Sequence, residues 1–405
     1  MFQYKSYKDV NLKGKKVLMR VDINSPIDQE KKKIKESTRI KALVPALEEL
    51  KDSAVVIMAH QGRPGDKDFS LLDLHYEEIK KLVKRPVKFV NEVFGDKAIQ
   101  AIKALKPGEI LILENVRTWE PENKEFKDFK EAEKLEMIQK LAPLFDFVIV
   151  DAFGAAHRAQ PSIIGWPKML AGPVTVKEFD IMSKVLQNPK KPYAMLIGGA
   201  KAIDKFNAMK YNLENNKIDY ALVAGLTATL IFEGIGVATG EPNKKAIAKD
   251  LEKVKNDIKP LYDKYKDKII LPKDLVIDDK GKRKNFPVNE VGKLNVVTGD
   301  IGDKTIAEFK AIVNKCNTIV ANGPPGIFEK EIFLQGTKEM VLAMVDATKK
   351  NKALTIIGGG EMGAATEQLG MADKVSFIST GGGAMLEILS GKEVPLVKAL
   401  KQKKD

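Results

Sequence analysis

Val55–Arg63 reads VVIMAHQGR: an apolar run that closes on histidine, glutamine, glycine and arginine. The run has the length of a strand buried on both faces, and the cationic residues fall where such a strand ends. Three more runs in the first half close the same way: Val17–Arg20 (VLMR), Leu111–Arg117 (LILENVR) and Val148–Arg158 (VIVDAFGAAHR). In the second half the runs close on glycine instead: AMLIGGAK from Ala194, YALVAGL from Tyr220, TIVANGPPG from Thr318, LTIIGGGE from Leu354 and VSFISTGGG from Val375. Open α/β sheets bind ligands beyond the carboxyl ends of their strands. Cations there suit a small polyanion, and glycines let backbone N–H groups and helix starts approach phosphates. Both kinds of sheet in one chain predict a two-lobed enzyme that moves a charged group between two anionic ligands.

The chain has 405 residues, enough for two domains with ample cores. Its single cysteine, Cys316, excludes an internal disulfide. That usage fits a reducing, cytoplasmic setting and a half-buried structural thiol. MFQYKSYKDV at the start holds no apolar core of signal-peptide length. Tyr220–Thr239 carries one charge, Glu233, but Gly225, Gly234 and Gly236 interrupt it. It reads as a buried strand followed by a buried helix rather than a membrane span. The net charge of +13 is spread among acids, as in DFKEAEKLEMIQK, so it reads as solvated helix faces and a steering field. Lys31–Lys33 and the basic tail read as loop and terminus. Neither nucleic acid nor membrane is expected as a partner.

Strand-like runs alternate with amphipathic stretches such as LLDLHYEEIKKLVK (71–84) and FKDFKEAEKLEMIQKLAPL (126–144), which predicts parallel sheets with crossover helices. The fold class is therefore α/β: two Rossmann-like lobes, each a parallel sheet flanked by helices, joined by a hinge helix. The expected division is 1–168 for the first lobe, 169–188 for the hinge helix and 189–387 for the second lobe. Residues 388–405 are too short for a domain and are expected to return to the first lobe.

Single motifs remain ambiguous. GGGEMG (358–363) has the form of a dinucleotide fingerprint, yet no acid ends the next strand to hold a ribose. GDIGDKT resembles a P-loop ending, but Asp303 occupies the glycine position before Lys304. GGAKAIDK sets Gly198 and Gly199 before Lys201 and Lys205, whose spacing puts two ammonium groups on one helix face. STGGGAMLE sets Gly381–Gly383 before a helix whose free N–H groups face outward. Arg20 reads as a buried pairing residue and His75 as structural. No HExxH, cysteine pair, EF-hand loop or G-x-S-x-G occurs. Positioning and charge neutralisation remain, and phosphoryl transfer needs little else.

In order along the chain, RVDINSP, the STRI arginine, HQGRPG, LENVR, DAFGAAHRAQPS, GGAKAIDK, DIGDKTI, NGPPGIFE, GGGEMGAA and STGGGAMLE closely resemble phosphoglycerate kinases, in wording the archaeal branch. The resemblance implies 3-phosphoglycerate or 1,3-bisphosphoglycerate on the first lobe and ADP or ATP with Mg²⁺ on the second. It implies that Asp22, Asn24, Arg39, His60, Arg63, Arg117 and Arg158 bind the first substrate. Arg39, Lys201, Gly360 and Gly383 would act on the moving phosphoryl group. Gly198, Gly199, Lys201, Lys205, Gly323, Glu329, Gly358, Gly359, Gly360, Glu361 and Met362 would bind nucleotide, with Glu361 on the metal and Gly381–Gly383 along the phosphate path. The family usually has Asp and then Thr or Ser where this chain has Glu361 and Met362. The carboxylate survives with one more methylene, and the hydroxyl is lost.

The expected reaction is reversible transfer between 1,3-bisphosphoglycerate and ADP, in line, on lobe closure, by a monomer or homodimer. Two alternatives stay open on sequence alone: an acyl-phosphate kinase for another carboxylate, and a non-catalytic basic scaffold.

Overall fold

The computed structural model describes residues 2–28, 30–35 and 37–403; Lys404 and Asp405 of the basic tail lie outside them. The chain divides into two units, Met1–Ser183 with Glu393–Asp405, and Lys184–Lys392.

The first unit is built on a six-stranded parallel sheet. Its strands are β1 (Lys16–Val21), β2 (Ala54–Met58), β3 (Val87–Phe89), β4 (Ile110–Ile112), β5 (Phe147–Asp151) and β6 (Met169–Ala171), in the order β3-β4-β2-β1-β5-β6. Every residue of β2 and β4 is buried, which is why these strands read as unbroken apolar runs. Helices α1 (Thr38–Glu49) and α2 (Asp73–Leu82) pack Ile40, Leu43, Leu47 and Ile79 onto the sheet residues Val17, Met19, Val55 and Ile57. The register sets Arg20 opposite Met58 and Val150, so the loops after β1, β2 and β5 leave the sheet at one edge. The stretch 126–144, expected as one helix, is broken: Phe129–Glu133 and Glu136–Leu141 are separated at Leu135, whose backbone is extended.

The connecting helix α3 runs from Pro173 to Gln187, shorter than the 169–188 reading. Met169–Ala171 pairs with Val148–Val150 as the sheet's edge strand instead. Pro173 fits the start of α3, where its missing N–H costs nothing.

The second unit has strands β7 (Tyr193–Ile197), β8 (Tyr220–Val223), β9 (Ile269–Ile270), β10 (Asp274–Asp279), β11 (Lys282–Pro287), β12 (Thr298–Ile301), β13 (Thr318–Asn322), β14 (Leu354–Gly358) and β15 (Phe377–Ser379). Its parallel sheet has the order β9-β8-β7-β13-β14-β15, and β11-β10-β12 form a separate small antiparallel sheet. The parallel order reverses between β7 and β13, and that switch point is where such sheets open a crevice. Five helices matter to the site: α4 (Ala202–Glu214), α5 (Gly225–Gly234), α6 (Asp303–Val313), α7 (Gln335–Asn351) and α8 (Glu361–Gln368). Tyr220–Gly234 is the expected buried strand and buried helix, and among the described residues no helix is long and apolar enough to cross a membrane. Cys316 is buried in this unit's core. The chain leaves the unit later than residue 388: helix α9 (Gly382–Leu389) stays with it, and the Leu389 carbonyl accepts from Asn212 Nδ2 at 2.7 Å. The return to the first unit begins at Glu393.

Arg20 shows how the first unit tolerates a charge in its core. It is fully buried, and its Nε donates to Ser162 Oγ at 2.9 Å while Ser162 Oγ donates to Glu122 Oε1. Glu122 is equally buried. Removing the cation leaves the buried Glu122 carboxylate without its compensating charge and the Ser162 oxygen without its donor, so Arg20→Met should lower unfolding free energy by about 3 kcal/mol or more. Urea denaturation of the two proteins checks this.

Candidate functional site

In the first unit the loops after β1, β2, β4 and β5 bring guanidinium groups together. Arg39 sits in the first turn of α1, and its Nη1 donates to Asp22 Oδ1 at 3.3 Å and to the Asn24 carbonyl at 3.0 Å. Asn24 Oδ1 accepts from the Gly62 N–H at 2.8 Å, which ties the β1 loop to the β2 loop. Arg117 is buried; its Nη1 donates to the Gly62 carbonyl, and its Nη2 lies 3.5 Å from Gln160 Oε1. Burial pushes its pKa down to about 10, helped by Arg20, Arg158 and Arg63 and opposed by Glu122. Arg63, Arg117 and Arg158 line one hollow of about 900 Å³, together with Gln160, Phe69 and Asn123.

His60 is placed differently from the expectation. It is 5 % exposed, beneath the arginines rather than presented on the hollow. Arg20 Nη2 lies 3.1 Å from Nδ1, and an arginine can only donate, so Nδ1 accepts and the ring proton sits on Nε2. Burial holds its pKa well below the usual histidine range, and Arg20, Arg117, Arg39 and Arg158 add to the effect. His60 is therefore neutral at pH 7.

Two side chains that sequence reading passed over hold these loops together. Gln61 Oε1 accepts from the Ser25 N–H at 2.8 Å and from His75 Nε2 at 3.0 Å. Its Nε2 donates to the Ser25 and Asp68 carbonyls, both at 2.8 Å. Asn115 in turn pairs with the Gln61 backbone, accepting its N–H at 3.2 Å and donating to its carbonyl at 2.9 Å. The available signal was an uncharged amide at the polar end of each apolar run.

In the second unit the switch point is lined by peptide groups. Gly198 and Gly323 directly follow β7 and β13, so close together that a Cβ on Gly323 (φ +82°) would stand 2.2 Å from the Gly198 carbonyl oxygen. Beside them lies a cavity of about 330 Å³, lined by Gly199, Gly225, Pro324, Gly326, Glu329 and Glu361 among others. Gly360 (φ +73°) precedes α8, and Gly359 packs against the Ser379 carbonyl and against Gly382, so Gly358–Gly360 and Gly381–Gly383 adjoin. Of the three glycines expected before a helix only Gly381 precedes α9, Gly382 and Gly383 forming its first turn.

The two lysines do not share a helix face. Lys201 is exposed and precedes α4 in the left-handed region (φ +59°). Lys205 is buried and curls back, its Nζ donating to the Gly198 carbonyl and to the Ala200 carbonyl at 2.6 Å. A buried ammonium needs such oxygens. Burial lowers its pKa to about 8, opposed by Glu361 and reinforced by Lys201. Glu361 begins α8 with an exposed carboxylate, whereas the Met362 side chain is fully buried in the core and leaves only its backbone for a ligand. Glu329 is exposed at the cavity edge. Asp300 also lines this cavity and was not foreseen: burial raises its pKa to about 7, while its Oδ2 accepts the Gly336 N–H at the start of α7 at 2.7 Å.

Comparison with known proteins agrees with this geometry. The family model described as phosphoglycerate kinase matches residues 7–392. The chain belongs to the phosphoglycerate kinase family. It is 40% identical to the phosphoglycerate kinase of Methanococcus maripaludis over 411 residues, covering 97% of this chain and 96% of the relative. It is 36% identical to that of Methanothermus fervidus over 408 residues, covering 99% and 98%. Among solved structures, the phosphoglycerate kinase of Pyrococcus horikoshii OT3 superposes with a TM-score of 0.91 at 32% identity, covering 98% of this chain and 99% of that one. The Coxiella burnetii phosphoglycerate kinase gives 0.78 at 29% identity, with both chains fully covered. As a member of a kinase family, the chain is a phosphotransferase with a nucleotide co-substrate.

The arginine-bearing loops of the first unit are fastened by a histidine that burial keeps neutral. His75 is fully buried, and burial lowers its pKa to about 4. In the unfolded chain it titrates near its ordinary 6.5, so between pH 6.5 and 4 the unfolded state binds a proton the folded state refuses. The stabilising increment is complete above pH 6.5 and is lost as pH falls toward 4, on the order of 3 kcal/mol in all. The stability gap between the natural protein and His75→Leu should therefore narrow on acidification from pH 7 to 4.5, as measured by urea denaturation at each pH.

Proposed function

We propose that this protein catalyses reversible phosphoryl transfer from 1,3-bisphosphoglycerate to ADP, giving 3-phosphoglycerate and ATP. The observation that carries the reading is the hollow lined by Arg63, Arg117 and Arg158 in the first unit. Its guanidinium forks suit a ligand with a carboxylate at one end and a phosphate at the other. The first unit is then the 3-phosphoglycerate-binding domain and the second the nucleotide-binding domain. Asp22 and Asn24 would take substrate hydroxyls, and His60 would act from beneath as a neutral ring.

On the nucleotide side, the cavity walled by Gly199, Gly225 and Pro324 would take the base and ribose, with Glu329 on the ribose hydroxyls. Lys205, Gly198, Gly323 and the backbone amides of Gly358–Met362 would serve the phosphates. Among the described residues no cluster of three or more His, Cys, Asp or Glu side chains is placed to hold a metal alone. Mg²⁺ needs no such cluster, since it is commonly held by one or two carboxylates plus substrate phosphates. Glu361, exposed on the cavity wall, fits that role. Bound Mg²⁺ would neutralise charge on the phosphate oxygens.

Transfer requires the ADP β-phosphate to meet the acyl phosphate in line. Lobe closure is the step proposed to achieve this and to keep water from the acyl phosphate. Arg39, Lys201 and the helix starts at Gly360 and Gly383 would stabilise charge on the moving group. A cytoplasmic monomer or homodimer acting on small molecules completes the proposal.

A coupled assay with 1,3-bisphosphoglycerate, ADP and Mg²⁺ tests it: ATP formation that a chelator abolishes is expected, and no turnover refutes it. Arg39→Ala should cut kcat by on the order of 10³ if Arg39 neutralises transition-state charge as an arginine finger does. Near-normal kcat in that variant would remove Arg39 from the chemistry.

A further inference from the structure

Gln61 lies between two residues assigned to the substrate, His60 and Arg63, yet it does not line the arginine hollow. It is fully buried, and its side-chain amide has used its whole hydrogen-bonding capacity. Each partner fixes which end is oxygen: two carbonyls face Nε2, while one N–H and the His75 ring face Oε1. The pairing with Ser25 N–H and carbonyl copies one rung of a β-ladder, with a side chain in place of a strand. Asn115 repeats the arrangement one loop further on. Its Oδ1 accepts from the N–H groups of Gln61 and Arg117, and its Nδ2 donates to the carbonyls of Gln61 and Ser70.

The consequence is geometric. Gly62, the residue after Gln61, donates its N–H to Asn24 and accepts from Arg117 through its carbonyl, and Arg63 follows directly. The relative places of Asn24, Arg63 and Arg117 are therefore set by where Gln61 sits. We propose that Gln61, oriented by His75, is a positioning residue that sets the spacing of these groups for the three-carbon acid phosphate. The proposal rests on the reading of the arginine hollow as the 3-phosphoglycerate site. Ligand groups displaced by an ångström lose much of their value, so a substitution here should act on affinity for that one substrate.

The test uses Gln61→Met, which keeps length but makes none of these bonds, and His75→Leu, which keeps Gln61 and removes its orienting donor. For each, calorimetric Kd for 3-phosphoglycerate is measured with KM for both substrates, kcat and the folded fraction. Leaving the buried Ser25 groups unsatisfied should raise Kd and KM for 3-phosphoglycerate about 10-fold in Gln61→Met and about 3-fold in His75→Leu. Nucleotide KM should stay unchanged, with kcat per folded molecule within about 3-fold. A role confined to stability would lower the folded fraction and leave both KM values alone. Unaltered 3-phosphoglycerate Kd in folded variants, or equal rises for both substrates, overturns the positioning role; should Gln61→Met fail to fold, His75→Leu decides by the same criteria. A natural protein that binds 3-phosphoglycerate while the variants bind equally well defeats the proposal alone, whereas a natural protein that does not bind it defeats the underlying reading and the proposal together.

Discussion

Like charges held near one another repel, and the first unit is organised around keeping several guanidinium groups in place despite that. Arg20, Arg63, Arg117 and Arg158 are close enough that the others add to the burial that brings Arg117 to a pKa of about 10. Two carboxylates offset the repulsion without filling the hollow: Glu122 lies behind Ser162, and Asp22 holds Arg39 to one side. The remaining excess of positive charge faces the hollow. Because the parallel register lets the loops of β1, β2 and β5 leave at one edge, the sheet itself dictates this convergence.

The second unit lines its switch point with peptide groups instead of guanidinium groups. At its switch point Gly198 and Gly323 approach too closely for side chains, which leaves backbone amides and carbonyls as the lining. The buried cation there, Lys205, is held by carbonyl oxygens of the same loop. The two hollows are thus lined by different chemistry: fixed charge in the first unit, backbone groups and helix starts in the second.

Much of this was legible in the sequence because parallel sheets leave a coarse signature. Buried strands such as Val55–Met58 and Val148–Val150 are apolar on both faces, so their ends, and the residues just beyond, stand out. Arg63, Arg117 and Arg158 could be assigned to one place on that basis alone. What escaped was set by tertiary contacts without periodicity. The hairpin Asp274–Pro287 turns at Lys280-Gly281, both with positive φ, inside a charged stretch that gave no strand pattern. Lys201 and Lys205 have helical spacing, but the helix begins only at Ala202, so the shared face does not form. His60 was read as a ligand-facing cation, and its burial against Arg20 makes it a neutral acceptor instead. Gln61, Asn115 and Asp300 carry no sequence signal beyond their polarity, since most of their partners are backbone groups, several of them in distant loops.

The central claim is that guanidinium groups on the first unit form one site for a small acid phosphate. Calorimetric titration of 3-phosphoglycerate into nucleotide-free protein tests it most directly, with the Arg63→Ala, Arg158→Ala double variant alongside. The account predicts one site per chain in the natural protein, weakened by added salt, and no measurable binding in the double variant. Equal affinity in the two proteins would contradict it.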